Sequence, residues 1–190
     1  LGIGSMEEPG FLREAGIELP MYFDQGMYSW NHLAGAAMER YGADRLTIPV
    51  ELNEREIRDS GVQGEMIVYG YLPMMISAQC IRKTTLGCSG KSEIMWLKDR
   101  KDMRFPVVNQ CRFCYNTIYN SAPLSLLGLS EQVTGLKPNA VRLNFTVEEP
   151  AAAGEILDAF FEEYGMSEKA AEPPVLRNQF TRGHFKRGVE

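Results

Sequence analysis

The stretch Ile17-Glu-Leu-Pro-Met-Tyr-Phe-Asp24 is followed by Ser29-Trp-Asn-His-Leu-Ala-Gly-Ala-Ala-Met-Glu-Arg-Tyr-Gly42 and then by Arg45-Leu-Thr-Ile-Pro-Val50. The first and last of these are short apolar runs that read as strands, with Pro20 arguing for the start of the first. Between them Trp30, Leu33, Ala34, Ala37, Met38 and Tyr41 recur at helical spacing. Ser29 is placed to cap that helix and Gly42 to stop it. Residues 52–59 read as a short charged helix and 66–69 as a third strand. Strand, helix, strand, helix, strand is the rhythm of βα units, which predicts an α/β fold with parallel pairing.

After Gly70 the rhythm breaks. Residues 72–76 are apolar, and a region rich in cysteine, glycine and charge then runs to about residue 102. Residues 104–109 and 115–120 read as strands with antiparallel or irregular pairing, and 124–127 and 131–134 as short helical turns. The βα rhythm resumes with a strand over 140–146. A helix follows from Pro150, with Ile156, Leu157, Phe160, Phe161 and Tyr164 on one face and Gly165 closing it. The expected organisation is an α/β domain over 1–165 that contains the cysteine region at 70–120. A linker and a basic, aromatic tail take up 166–190. An eight-fold βα barrel needs about 250 residues, so four or five βα strands predict a partial or degenerate TIM-like barrel with a cysteine-rich irregular insertion. The chain opens in mid-pattern and stops at Gly188-Val189-Glu190, which reads as a piece whose natural partner is the remainder of a longer chain.

The 190 residues are 44% hydrophobic and 24% charged, with a formal net charge of −5. That is ordinary for a globular protein and gives no general attraction to phosphate or to anionic membranes. No run of about 18 apolar residues is present to cross a bilayer, and residues 1–10 lack the basic start and apolar run of a secretory signal. The expectation is a cytoplasmic protein with no membrane partner.

In that compartment four cysteines point to metal ligation more than to disulfides. Cys80 and Cys88 are spaced C-x7-C, 22 residues intervene, and Cys111 and Cys114 form C-x2-C; there are no others. Four soft thiolates are what one zinc ion or one four-iron four-sulfur cluster requires, and the spacing suits both. The other reading is that they are small buried hydrophobes. Of the two histidines, His32 in the first helix reads as a packed or capping residue. His184 lies among Arg182, Lys186 and Arg187, a basic cluster between two glycines that suits a phosphate or a partner, or else a solvated tail. Asp24 and Glu51 end expected strands, the catalytic rim of a parallel barrel, although helix capping would place them there as well. There is no P-loop, dinucleotide fingerprint, nucleophile elbow or zincin motif.

The stretch Glu65-Met-Ile-Val-Tyr-Gly-Tyr-Leu-Pro-Met-Met-Ile-Ser-Ala-Gln-Cys80 resembles the signature of the collagenase-like peptidase family U-32. Glu65, Gly70, Ser77 and Cys80 fall on matching positions. Flanking blocks agree: Arg45-Leu-Thr-Ile-Pro-Val-Glu-Leu52, Leu97-Lys-Asp-Arg-Lys-Asp-Met-Arg-Phe-Pro106, Tyr119-Asn-Ser-Ala-Pro-Leu124 and Thr181-Arg-Gly-His-Phe-Lys-Arg-Gly-Val189. Pro73 stands where the signature has its first cysteine and Ala78 where it has glycine, a pattern similar to the carboxy-terminal portion of a long member. The resemblance implies a βα barrel and a four-iron four-sulfur cluster, which here would recruit Cys111 and Cys114. It also implies links to protein hydrolysis or to oxygen-independent hydroxylation of RNA bases or a quinone precursor. No catalytic residue is carried over with it.

Two functions follow as expectations. One is a fragment of such an enzyme, acting on RNA or protein. The other is a non-catalytic module in which zinc or a cluster staples the loops into a partner surface. RNA binding through Arg182, Lys186 and Arg187 is a third reading, weakened by the overall acidity.

Overall fold

The structure is a computed structural model that describes residues 1–166 and 180–188. Residues 167–179, where most of the expected linker falls, and 189–190 lie outside the described residues. The elements in chain order are β1 (Gly2–Ile3), α1 (Glu8–Glu14), β2 (Tyr22–Phe23), a 3-10 turn (Gln25–Met27), α2 (His32–Tyr41), β3 (Arg45–Leu46), α3 (Glu54–Ser60) and β4 (Glu65–Gly70). They continue with β5 (Pro73–Ser77), α4 (Ile81–Thr85), β6 (Glu93–Lys98), β7 (Arg104–Gln110), β8 (Tyr115–Tyr119), β9 (Leu124–Ser125), α5 (Ser130–Gly135), β10 (Ala140–Asn144) and α6 (Pro150–Glu163). The protein is a mixed α/β fold. Among the described residues its strands form three sheets and no closed barrel. No helix among them is long and apolar enough to cross a membrane.

By packing the chain divides into two units. The first is Leu1–Val68, Leu126–Leu143 and Arg182–Glu190; the second is Tyr69–Ser125 and Asn144–Thr181.

In the first unit β1, β2 and β3 pair in parallel, as the βα rhythm predicts, with Gly2, Tyr22 and Arg45 in one row and Ile3, Phe23 and Leu46 in the next. A parallel bridge from Thr47 to Glu65 continues the pairing to β4. Ile3, Phe23 and Leu46 join Met27 and Val62 in the core, against which Leu12, Met21, Met38 and Tyr41 pack. Burying such side chains contributes about 2 kcal/mol each.

The strands are much shorter than the apolar runs suggest. Ile17 and Leu19 stay on the surface, and Pro20 has no N–H to give a ladder. Helix α2 also starts later than expected. Asn31 caps it, its Oδ1 accepting from Ala34 N at 3.0 Å, whereas Ser29 turns inward and donates to Thr47 O at 3.2 Å. The shift leaves Trp30 and Leu33 exposed, Leu33 by 71%. His32, expected to be a packed or capping residue, is exposed at the first position of the helix, and Asn31 makes the cap. Gly42 closes the helix in the left-handed region. A capping box at Asn53 and Glu56 opens α3.

The last described segment, 182–188, belongs to this unit. Phe185 is buried and its carbonyl accepts from Glu54 N at 2.9 Å.

In the second unit β5, β8, β7 and β6 form an antiparallel sheet in that order. Strand β6 falls in what reads as irregular sequence. The hairpin that carries it turns at Asp99, whose Oδ1 accepts from Lys101 N and Met103 N, an Asx turn. Leu124 and Ser125, expected in a helical turn, instead pair antiparallel with Gly70 and Tyr69. Helix α6 starts at Pro150 as predicted and buries Ile156, Ala159 and Phe160.

Gly70 has φ +149°, and a Cβ there would lie 2.4 Å from Asn144 O. Gly70→Ala is expected to lower stability by about 3 kcal/mol, read from the midpoint of chemical denaturation.

Candidate metal centre on four cysteines

Two-residue alternation along the antiparallel strands puts Val107 and Asn109 of β7 on the same face as Asn116 and Ile118 of β8. Val107 pairs with Ile118 and Asn109 with Asn116. All four side chains are buried, Asn116 completely. Past this pair the two strands are joined by Gln110-Cys111-Arg112-Phe113-Cys114-Tyr115. Phe113 N bonds to Gln110 O at 3.1 Å and Cys114 N to Cys111 O at 3.4 Å. Cys114 sits at φ +56°, a conformation that costs a residue with a Cβ about 1–2 kcal/mol. The Cys111–Cys114 pair thus sits in the hairpin turn between β7 and β8.

Two other segments reach the same end of the sheet. Asn116 Nδ2 donates to Gln79 O at 2.8 Å and to Ser77 O at 3.4 Å, which pins the approach to Cys80. Cys80 then opens α4, its sulfur accepting from Lys83 N at 3.4 Å and lying 3.9 Å from Asn109 Oδ1. The loop carrying Cys88 is fastened by Ser92, whose hydroxyl accepts from Cys111 N at 3.2 Å. Arg82 fastens it too, bonding to Gly87 O at 2.9 Å and to Glu93 at 2.6 Å. Hydrogen bonds from Arg82 and then Ser89 hold the Glu93 carboxyl below its ordinary range.

All four cysteines are free thiols, Cys80 and Cys111 half-buried, Cys88 and Cys114 exposed. Desolvation raises the Cys111 thiol above its usual value. Repulsion between its ionised form and the sulfurs of Cys88, Cys114 and Cys80 pushes the same way, together with a side-chain hydrogen bond to Cys88. Cys111 thus has sulfurs from both sequence-separated pairs in its electrostatic surroundings. Among the described residues, however, no three His, Cys, Asp or Glu side chains enclose a common point as metal ligands would. The donor chemistry fits a thiophilic metal; the thiols stand as neighbours rather than as a closed tetrahedron.

The remaining candidates lie elsewhere. In the first unit Asp24 caps the 3-10 turn, accepting from Gln25 N, and also takes Arg142 Nη2 at 2.6 Å. Glu51 is half-buried in the turn after Pro49, its Oε2 enclosed without a hydrogen-bond partner. The basic tail residues are largely engaged. Arg182 donates to Leu127 O, and His184 Nδ1 is 2.8 Å from Gly188 O. Lys186 reaches Glu54 at 3.4 Å and Gln132 at 3.2 Å. The Arg187 side chain is exposed.

Two groups escaped the sequence reading. Asn109 and Asn116 are one; polar residues in a strand carry no signal until the register shows which face they share. The other surrounds Glu148 in the second unit, which caps Thr146 N and Val147 N. Burial, followed by this carboxylate, raises the phenols of Tyr69 and Tyr71, and burial with Tyr115 and Glu148 raises that of Tyr119.

Compared with protein-family models, with curated proteins and with solved structures, the chain matches none.

Asn116→Ala removes both bonds that fix the approach to Cys80. It is expected to cost about 2 kcal/mol in urea denaturation and to speed alkylation of Cys80 by iodoacetamide, followed by mass spectrometry.

Proposed function

We propose that Cys80, Cys88, Cys111 and Cys114 form a four-thiolate metal centre in an α/β domain of U-32 type, whose parallel strands are part of an incomplete βα barrel. The observation that carries this reading is that three separate segments are tied to one end of the second unit's sheet. The ties are Asn116 to Gln79 O, Cys80 Sγ to Asn109, and Ser92 to Cys111 N.

Four thiolates suit one zinc ion or one four-iron four-sulfur cluster. A cluster would supply electron-transfer chemistry, in keeping with the redox hydroxylation of RNA bases that the resemblance implies; zinc would supply cross-linking. The chain's own part is to hold the sulfurs. The Lys83 backbone N–H points at Cys80 Sγ, and Ser92 fixes the backbone of Cys111.

A second reading, a non-catalytic staple, has its own support. The buried apolar side chains of the four-stranded sheet are Pro106, Val107 and Ile118, while Met74, Met75, Ile76 and Trp96 are more than half exposed. So thin a core gains much from about 10 kcal/mol of zinc ligation.

Metal analysis and a visible spectrum of anaerobically purified protein separate the outcomes. About four irons per chain with broad violet absorption supports the cluster. One zinc in a colourless protein supports the staple, and replacing all four cysteines by serine should then unfold the second unit. Protein containing neither metal, with four thiols alkylated at equal rates in the folded state, refutes both.

A further inference from the structure

The parallel strands of the first unit end in a row. Gly4 follows β1, Asp24 follows β2, Thr47 follows β3, and Thr47 is bridged to Glu65. Ile3, Phe23 and Leu46, one position earlier, point into the core. Their strand neighbours therefore face the opposite side of the sheet. On that side Gly2, Gly4, Tyr22, Asp24 and Thr47 line a cavity of ≈ 410 Å³ with Glu65 and Arg142. Its volume lies in the range of small-molecule sites. Its place, at the carboxyl ends of parallel strands, is where α/β folds bind ligands.

Two features distinguish it from a surface crevice. One is the bare backbone of β1. A Cβ on Gly2 would meet nothing within 4 Å, and one on Gly4 would meet only the Glu8 carboxylate at 4.0 Å. Neighbouring atoms do not force these glycines; their missing side chains leave room. Glycine inside a strand otherwise weakens it and often marks close approach of a ligand.

The second feature is the charge arrangement. Arg142 Nη2 lies 2.6 Å from Asp24 Oδ1, and Nε lies 3.1 Å from Glu65 Oε1. Nε and Nη2 form one edge of the guanidinium, the edge that commonly takes both oxygens of a single carboxylate. Here it takes one oxygen from each of two. The Nε contact is electrostatic only, for Nε is buried and its N–H is not aimed at an acceptor. Two negative charges are thus crowded onto one positive charge, with the side chains of Arg142 and Glu65 28% and 20% exposed. Arg45 lies over the Tyr22 ring, 5.2 Å from its centroid, a row back along the strands from the carboxylates. The carboxylate pair is one positive charge short.

We propose that this cavity binds a small ligand through a protonated amine. The ammonium takes the side of Asp24 and Glu65 opposite Arg142, and the Thr47 hydroxyl and the bare backbone at Gly2 and Gly4 border the rest of the ligand. A divalent cation fits less well, because among the described residues no three carboxylate, thiol or imidazole groups converge. The inference does not depend on the cysteine centre.

The test is an NMR titration of the ¹⁵N-labelled 190-residue chain with putrescine and ethanolamine. Acetamide, acetate and magnesium chloride serve as neutral, anionic and divalent counterparts. The expected result is saturable shifts at the Gly4, Asp24 and Thr47 amides with the amines alone. Glu65→Gln and Asp24→Asn should each weaken binding about tenfold or more. Gly2→Val, which meets open space, should keep the fold by far-UV circular dichroism and lose binding. The proposal is overturned if neither amine gives saturable shifts up to about 10 mM. It is equally overturned if folded Asp24→Asn or Gly2→Val binds as tightly as the parent, or if acetate or magnesium gives the same shifts.

Discussion

The alternation of side chains along a β-strand is the constraint on which both halves of this molecule depend. In the first unit, burying Ile3, Phe23 and Leu46 against α2 and its neighbours commits Gly4, Asp24 and Thr47 to the other face of the same three strands. In the second, burying Val107 and Ile118 commits Asn109 and Asn116 to the covered face, one pair nearer the cysteine turn. Hydrophobic burial sets the register, and the register then decides which polar groups meet.

The cost of that arrangement is greatest at the two asparagines. A buried side-chain amide stabilises only when its hydrogen bonds are made. Asn116 satisfies its Nδ2 on the backbone ahead of Cys80 while its Oδ1 stays enclosed without a partner. Its stability contribution is thereby tied to the position of a loop rather than to the sheet itself. Sulfur, hairpin and helix start are linked through this one side chain. The same logic links Ser92 to Cys111, since a hydroxyl that receives a backbone N–H at a turn fixes both segments at once.

Much of this was legible in the residues. The alternation of apolar strands and amphipathic helix around 17–69 gave parallel pairing, and Pro150 and Gly165 bracket α6 closely. Strand lengths were not legible: the ends of the runs at Ile17 and Leu19 are apolar yet find no partner surface. Ser29 and Asn31 are both good caps, and only the position of Thr47 O, which claims the Ser29 hydroxyl, decides between them. Strand β6 was hidden because its alternation, Glu93, Met95 and Leu97 against Ile94, Trp96 and Lys98, mixes charge and apolar bulk on each face. The cysteine spacing pointed to convergence; the three segments that carry the thiols are tied together by hydrogen bonds, but among the described residues no three potential ligands form a metal-holding group. Arg142 offered no signal, since its meaning lies in two carboxylates distant in sequence.

The attachment of residues 182–188 to α3 has a kinetic meaning. Lys186 and Glu54 are 132 residues apart, and Phe185 closes over the start of a helix made early in the chain. Long loops must close before such contacts repay their entropy, which slows assembly of the core they complete. During translation the opening strands and helices are thus synthesised well before the segment that seals them. Until it arrives, the Glu54 N–H at the start of α3 lacks the Phe185 carbonyl that it bonds to in the finished fold.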